Sequence, residues 1–148
     1  MRNQSSHQLP DRRRMKKSPE ERSRMMRAIK GRDTGPELVV RSIAHRMGYR
    51  FRLYRKDLPG TPDLVFVSRR KVIFIHGCFW HAHGCKLTRV PTSNRKYWVP
   101  KLQRNRTRDE KNLAALTMEG WRYLVIWECE IRASENLQRR LKNFLDEY

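Results

Sequence analysis

Within ten residues, His76-Gly77-Cys78-Phe79-Trp80-His81-Ala82-His83-Gly84-Cys85, the chain gathers three of its five histidines and two of its three cysteines. Thiolate and imidazole are the donors that zinc takes in closed, tetrahedral structural sites. Cys78, His83 and Cys85 supply three such donors, and Cys129, the cysteine left over, supplies a fourth from a distant part of the chain. The spacing is not that of a common zinc finger. Reduced, packed cysteines beside unrelated histidines are the plainer reading, because free cysteine is often buried.

A second group offers oxygen and proton chemistry. Asp63 follows Pro62 at the start of an apolar run, Leu64 to Val67, where burying a lone carboxylate is costly. If that run pairs with the next, which ends at Ile75-His76, the Asp63 carboxylate and the Ile75 backbone carbonyl face one cation from adjacent strand ends. Magnesium takes oxygen ligands and keeps several waters, so this pair with phosphate oxygens is a set that suits it. Once His83 is given to zinc, His76 and His81 remain as groups able to pass protons to and from water or a departing alkoxide. Glu37 adds an acid at the front of its helix. Each residue also has a bland reading: Asp63 as a turn residue, Glu37 as half of a capping box with Thr34, and either histidine as a surface group.

The third group is aromatic. Phe79 and Trp80 adjoin in a loop where no period demands a buried pair, and Trp98 stands beside Tyr97 in the basic stretch from Asn94 to Lys101. Aromatic planes stack on bases or wedge between them while Arg and Lys hold phosphates. Met25 and Met26, on an Arg-rich helix, can insert from another side. Core packing is the other reading for each aromatic, and residues 101–108 suit either phosphate contact or a solvated helix face.

The chain that must position these groups has 148 residues, 38% of them apolar, with 34 Lys and Arg against 15 Asp and Glu, for a net charge of +19. One domain is expected at this length, and such an excess of positive charge points to a polyanion, nucleic acid first. The longest apolar run, Tyr123 to Trp127, is far shorter than the roughly 18 residues of a membrane span. No membrane partner is expected, and a basic N-terminus without an apolar stretch predicts a cytoplasmic protein. An odd cysteine count argues against a disulfide framework.

Residues 1–17 read as a basic, disordered arm, and 18–148 as a single domain. Ser18-Pro19-Glu20-Glu21 is a capping-box signature, which predicts a helix to Lys30. Thr34-Gly35-Pro36-Glu37 opens a second helix, with Val39, Ile43 and Met47 on its buried face until Gly48. Alternation from Tyr49 to Tyr54 predicts a half-buried strand. Leu64–Val67 and Val72–Ile75 predict a hairpin buried on both faces. A helix from about Pro100 to Glu119, a buried strand from Tyr123 to Trp127 and a last helix capped by Ser134 complete the order α, α, β, β, β, α, β, α. That order predicts an α/β fold, a mixed sheet with helices on its faces.

Read together, Met26-Arg27-Ala28-Ile29, Arg32-Asp33-Thr34, Leu58-Pro59-Gly60-Thr61-Pro62-Asp63, Val72-Ile73-Phe74, His76-Gly77-Cys78-Phe79-Trp80-His81, Gly120-Trp121-Arg122 and Trp127-Glu128-Cys129 closely resemble the very short patch repair (Vsr) mismatch endonucleases, in order from about Ser23 to Arg132. The resemblance implies a restriction-endonuclease-like fold with a structural zinc site. It also implies magnesium-dependent nicking of one DNA strand on the 5′ side of the thymine in a T:G mismatch, the product of 5-methylcytosine deamination. MutS and MutL repair proteins are implied partners. By position, Asp63 matches the metal-binding aspartate, His81 the general base, and His76 and Glu37 the residues around the reacting water. Cys78, His83, Cys85 and Cys129 match the zinc ligands, Phe79, Trp80 and Trp98 the aromatic wedge, and Met26 the residue inserted opposite it. Ile75 stands where relatives have threonine, which leaves a backbone-carbonyl ligand to magnesium intact. A mismatch lacks two-fold symmetry, so a monomer is expected. Two rivals are a zinc-stapled nucleic-acid-binding protein without chemistry and a site-specific nuclease acting on matched duplex.

Overall fold

Ser18 opens helix α1 (Pro19–Ala28) with a complete capping box: its Oγ accepts from the Glu21 N–H at 3.1 Å, and Glu21 Oε2 accepts from the Ser18 N–H at 2.8 Å. None of its residues is buried. The computed structural model describes residues 17–29, 31–132 and 136–148. The expected arm up to residue 16, the helix end at Lys30 and the Ser134 cap fall outside the described residues. The chain divides into two units, one ending at Arg32 and the other running from Asp33 to Tyr148.

In the second unit the order is α2 (Gly35–Arg46), β1 (Arg52–Leu53), β2 (Leu64–Phe66), β3 (Lys71–His76), α3 (Arg95–Met118), β4 (Arg122–Trp127), α4 (Glu128–Arg132) and α5 (Leu137–Asp146). The four strands form one sheet in the order β1-β2-β3-β4, antiparallel except for β3 with β4. Side chains alternate across it with the period of two that a strand imposes. Leu64, Phe66, Ile73, Ile75 and Ile126 pack with Val40, Ile43 and Ala44 of α2 and with Leu137, Leu141 and Leu145 of α5. Val65, Val72 and Phe74 pack on the other side with Leu116 of α3 and with Leu58 and Trp121. The result is a three-layer mixed α/β arrangement, and it fixes which way each site residue faces.

The hairpin β2–β3 is buried on both faces, as its apolar runs predict, except that Val67 leaves β2 for a short 3-10 turn and is exposed. Four other expectations shift. The buried face of α2 carries Glu37, Val40, Ile43 and Ala44, whereas Val39 is exposed; two adjacent valines fit the period in either phase, and tertiary packing chose one. The alternating segment from Tyr49 pairs only at Arg52–Leu53, because Tyr54 turns away with φ 48°. Strand β4 lies at the sheet edge with Tyr123 exposed, so it is only partly buried, and α4 follows it directly. Finally, α3 begins at Arg95 and contains Pro100. The proline forfeits one backbone bond there, while Lys101 Nζ reaches back to Tyr97 Oη at 2.9 Å and holds the turn before it.

Candidate active site and metal centre

Because β2 and β3 are antiparallel, the residue before β2 and the end of β3 meet at one end of the sheet. The Asp63 N–H donates to the Ile73 carbonyl at 3.1 Å, and the Ile75 N–H donates to Asp63 Oδ2 at 2.7 Å. The carboxylate thus replaces a ladder carbonyl. A strand residue's N–H and C=O leave on the same edge, so the Ile75 carbonyl shares that edge with Asp63. Burial pushes Asp63 up to about 6; the Ile75 N–H opposes the rise and the Glu37 charge adds to it. A cation between these oxygens reverses the penalty.

Glu37 is buried in the first turn of α2, where the helix dipole favours an acid. Its Oε1 accepts from the Thr34 hydroxyl at 3.1 Å; its Oε2 accepts from the Asp33 N–H at 3.0 Å, Arg41 at 2.9 Å and the Tyr54 hydroxyl at 2.5 Å. Its carboxylate therefore binds the Asp33 N–H, one residue before the helix cap. Arg41 also pairs with Asp33 at 2.6 Å. Sequence reasoning missed both Arg41 and Tyr54; the i,i+4 spacing of Glu37 and Arg41 was the available signal.

His76 continues the Val72–Phe74 face of β3 toward α3 and is buried. Its ring stacks on His81, centroids 3.8 Å apart and planes within 2°. Burial, and then the His81 neighbour, push His76 down to about 4. His81 Nδ1 lies 2.5 Å from Asp109 Oδ2. Burial raises Asp109, but the His81 hydrogen bond and charge, with the Arg108 hydrogen bond and the His76 charge, together outweigh it and leave the carboxyl below its ordinary value. Asp109 is the third partner that sequence reasoning missed. Its signal was faint: an acid on a basic helix, four residues after Asn105 and on the same face.

The loop after His76 turns through Ala82, whose φ is 50°, and Gly84, whose φ is 86°. This bend sends His81 to Asp109 and His83 to Cys129. Thr88 braces it, donating to the Cys78 carbonyl at 3.1 Å and accepting from the Gly84 N–H at 3.2 Å. The ligand atoms of Cys78, His83, Cys85 and Cys129 all lie within 4.8 Å of one another. Cys129 Sγ is 3.6 Å from His83 Nδ1, close to the roughly 3.6 Å edge of a tetrahedron built with Zn–S of about 2.3 Å and Zn–N of about 2.05 Å. The Cys129 N–H points at Cys78 Sγ and the Leu87 N–H at Cys85 Sγ, each at 3.4 Å, which favours thiolates. Burial drives the Cys78 thiol up, whereas at Cys85 burial is outweighed by hydrogen bonds with the Leu87 N–H, His83, Thr88 and Cys78 together, and that thiol falls. Four such donors in this arrangement fit a tetrahedral thiophilic ion.

On the other side of His81, Phe79, Trp80 and Trp98 form a half-exposed cluster of tilted rings: Phe79 meets Trp80 at 5.0 Å and Trp98 at 5.3 Å, and Trp80 meets Trp98 at 6.0 Å. Lys101 Nζ lies 5.7 Å from the centroid of Trp80 and 5.5 Å from that of Trp98. Asn105 donates to the Trp80 carbonyl at 3.0 Å, so α3 holds the aromatic loop at 105 and His81 at 109. Met26 sits exposed on α1 in the first unit. Among the described residues no helix is long and apolar enough to cross a membrane.

Residues 15–87 match the family described as DNA mismatch endonuclease Vsr. The chain is 54% identical over 129 residues to the Type II nicking enzyme V.XorIIP of Xanthomonas oryzae pv. oryzae, covering 87% of this chain and 95% of that one. It is 44% identical over 116 residues to the DNA mismatch endonuclease Vsr of Escherichia coli, covering 78% and 74%. To the Type II nicking enzyme V.NmeAIP of Neisseria meningitidis it is 37% identical over 126 residues, covering 85% and 90%.

Proposed function

The chain belongs to the Vsr family of DNA endonucleases, and from that premise we propose that it nicks one strand of duplex DNA, with magnesium, on the 5′ side of the thymine in a T:G mismatch left by deamination of 5-methylcytosine. The nick opens very short patch repair. The observation that carries this reading is the loop from Cys78 to His83, which joins the metal quartet, a half-exposed aromatic cluster and the His81–Asp109 pair in six residues. Aromatic rings beside a nicking centre suit a weakened base pair, because a mismatch is cheaper to open than an intact pair. The E. coli relative carries the mismatch name.

In this mechanism the Asp63 carboxylate and the Ile75 carbonyl hold magnesium at the sheet end. When bound, the cation supplies positive charge for the phosphate oxygens and for the departing 3′ oxygen. Asp109 accepts from His81 Nδ1–H, which leaves His81 Nε2 as the free acceptor for a proton from the attacking water. Neutral His76 supports the His81 ring, and Glu37, fixed by Arg41 and Tyr54, orients solvent beside Asp63. Cys78, His83, Cys85 and Cys129 hold zinc as a staple with no part in the chemistry. The mixed sheet with helices on both faces supports a restriction-endonuclease-like core within residues 33–148.

Phe79, Trp80 and Trp98 form the wedge, and Met26 of α1 makes its own insertion into the DNA. The remaining positive charge follows the phosphates. The protein acts as a monomer in the bacterial cytoplasm, on the nucleoid, with MutS and MutL as partners.

A second reading is site-specific nicking of matched duplex, favoured by the name Type II nicking enzyme on the Xanthomonas and Neisseria relatives. The two separate on labelled duplexes carrying T:G or T:A at one position, in several flanking sequences, with both strands resolved on a denaturing gel. A magnesium-dependent nick confined to the thymine strand of T:G duplexes is expected. Cutting of both duplexes establishes the second reading, and binding without cutting leaves a zinc-stapled DNA-binding protein.

A further inference from the structure

One indole stands between the metal quartet and the histidine pair. The His83 ring lies flat on Trp127, centroids 4.0 Å apart and planes within 6°. The same Trp127 meets His76 at 5.2 Å and 73° and His81 at 6.3 Å and 71°. The register of β3 and β4 sets Trp127 opposite His76, and α4 brings Cys129 into the quartet two residues later. We propose that Trp127 is a positioning residue through which the metal quartet sets the orientation of the His76–His81 pair.

Asp109 fixes one atom of His81, Nδ1, and a single hydrogen bond leaves the ring free to swivel about that bond. What fixes its plane is the flat stack on His76. The His76 plane is held in turn between Phe74, at 5.6 Å and 53°, and Trp127. Phe74 belongs to the apolar core. Trp127 is the wall whose own face rests on His83, and ligation through His83 Nδ1 would lock that imidazole. Edge-to-face and stacked aromatic contacts are directional, so the chain His83, Trp127, His76, His81 transmits a plane as well as filling space. A proton acceptor displaced by about 1 Å loses on the order of a hundredfold in rate.

This inference rests on the reading of His81 as the proton acceptor. Its test uses full-length, zinc-loaded protein with Trp127→Leu, which removes the flat face, Trp127→Phe, which keeps a smaller one, and His81→Ala. The expected result for Trp127→Leu is unchanged zinc per chain and unchanged Kd for a T:G duplex, with kcat lower by roughly ten- to a hundredfold and KM unaltered. Its His76 and His81 ring-nitrogen signals in 15N spectra should move. Trp127→Phe should show the same pattern with a smaller loss, and it carries the test if the leucine variant does not fold. Wild-type kcat together with unmoved ring-nitrogen signals in a folded variant overturns the proposal. So does loss of zinc or of DNA affinity in step with activity, which marks Trp127 as ordinary packing. If His81→Ala still nicks, the proton-acceptor reading falls instead, and the ring-nitrogen signals still decide whether Trp127 orients the pair.

Discussion

Asp109 on α3 holds His81 on the aromatic loop through a 2.5 Å contact between Oδ2 and Nδ1, across 28 residues of sequence. A carboxylate at Nδ1 selects the tautomer whose Nε2 is free to accept. Asp109→Asn presents an amide that can satisfy either tautomer. It should lower single-turnover nicking on the order of a hundredfold while changing DNA affinity little. An unchanged rate would remove Asp109 from the mechanism.

Asp63 carries a stability cost that can be measured through pH. Its carboxyl ionises near an ordinary 3.8 in the unfolded chain and near about 6 in the folded one. Between those values the folded state holds more protons, so this group's contribution to stability falls as pH rises through the window. The gap corresponds to about 3 kcal/mol. Without added magnesium, Asp63→Asn should therefore be more stable than wild type at pH 8 by up to that amount, and the difference should vanish below pH 4. His76, pushed down to about 4, contributes the opposite slope between pH 6.5 and 4, but it is present in both proteins and cancels. Urea unfolding at both pH values checks this, and an asparagine variant no more stable at pH 8 refutes it. The same variant should not nick.

Cys129→Ser removes one donor from the quartet and should lower bound zinc and stability together. Loss of a structural metal belongs among the large single-residue effects, on the order of 4 kcal/mol. Metal analysis beside thermal unfolding tests the pairing. Full zinc content in the serine variant would exclude Cys129 from the tetrahedron.

Trp80→Ala should separate recognition from charge. Stacking on a base is worth about 1–3 kcal/mol, so affinity for a T:G duplex should fall by roughly five- to 150-fold. Affinity for a T:A duplex, carried by phosphate contacts, should change little and keep its steep salt dependence. Fluorescence anisotropy on both duplexes at two salt concentrations reads both effects. Equal losses on the two would place Trp80 in packing.

The meeting of Cys78, His83, Cys85 and Cys129 is legible in the amino-acid sequence because cysteine and histidine are rare and their chemistry is specific to type. Their ligand atoms lie within 4.8 Å of one another. The β2–β3 hairpin is legible for a different reason, since unbroken apolar runs leave no phase to choose. Where the phase is open, as at Val39 and Val40, packing against α5 and the sheet decides it. Helix α3 outruns its expected start because aromatic and Lys101 contacts outweigh the proline. Asp109 and Arg41 carry only a spacing signal in the sequence and Tyr54 none, for a shared reason: each is an ordinary residue made significant by a partner that the fold supplies.

The parallel pairing of β3 with β4, Lys71 with Arg122 through His76 with Trp127, also governs when the sheet can close as the chain is made. A ribosome releases Asp63, the β2–β3 hairpin with His76 and the following loop with His81 long before Arg122 emerges. Until then the outer edge of β3 is bare and prone to pair with other strands, and long-range pairings of this kind form slowly. Cys129 follows β4 out of the tunnel by two residues, so the last thiolate arrives just as the sheet closes. A chain that stops between Asp109 and Arg122 carries Glu37, Asp63, His76, His81 and Asp109 but lacks the pairing with β4 and the Trp127 ring. Such a fragment keeps the bare edge of β3 and with it the tendency to pair with other chains.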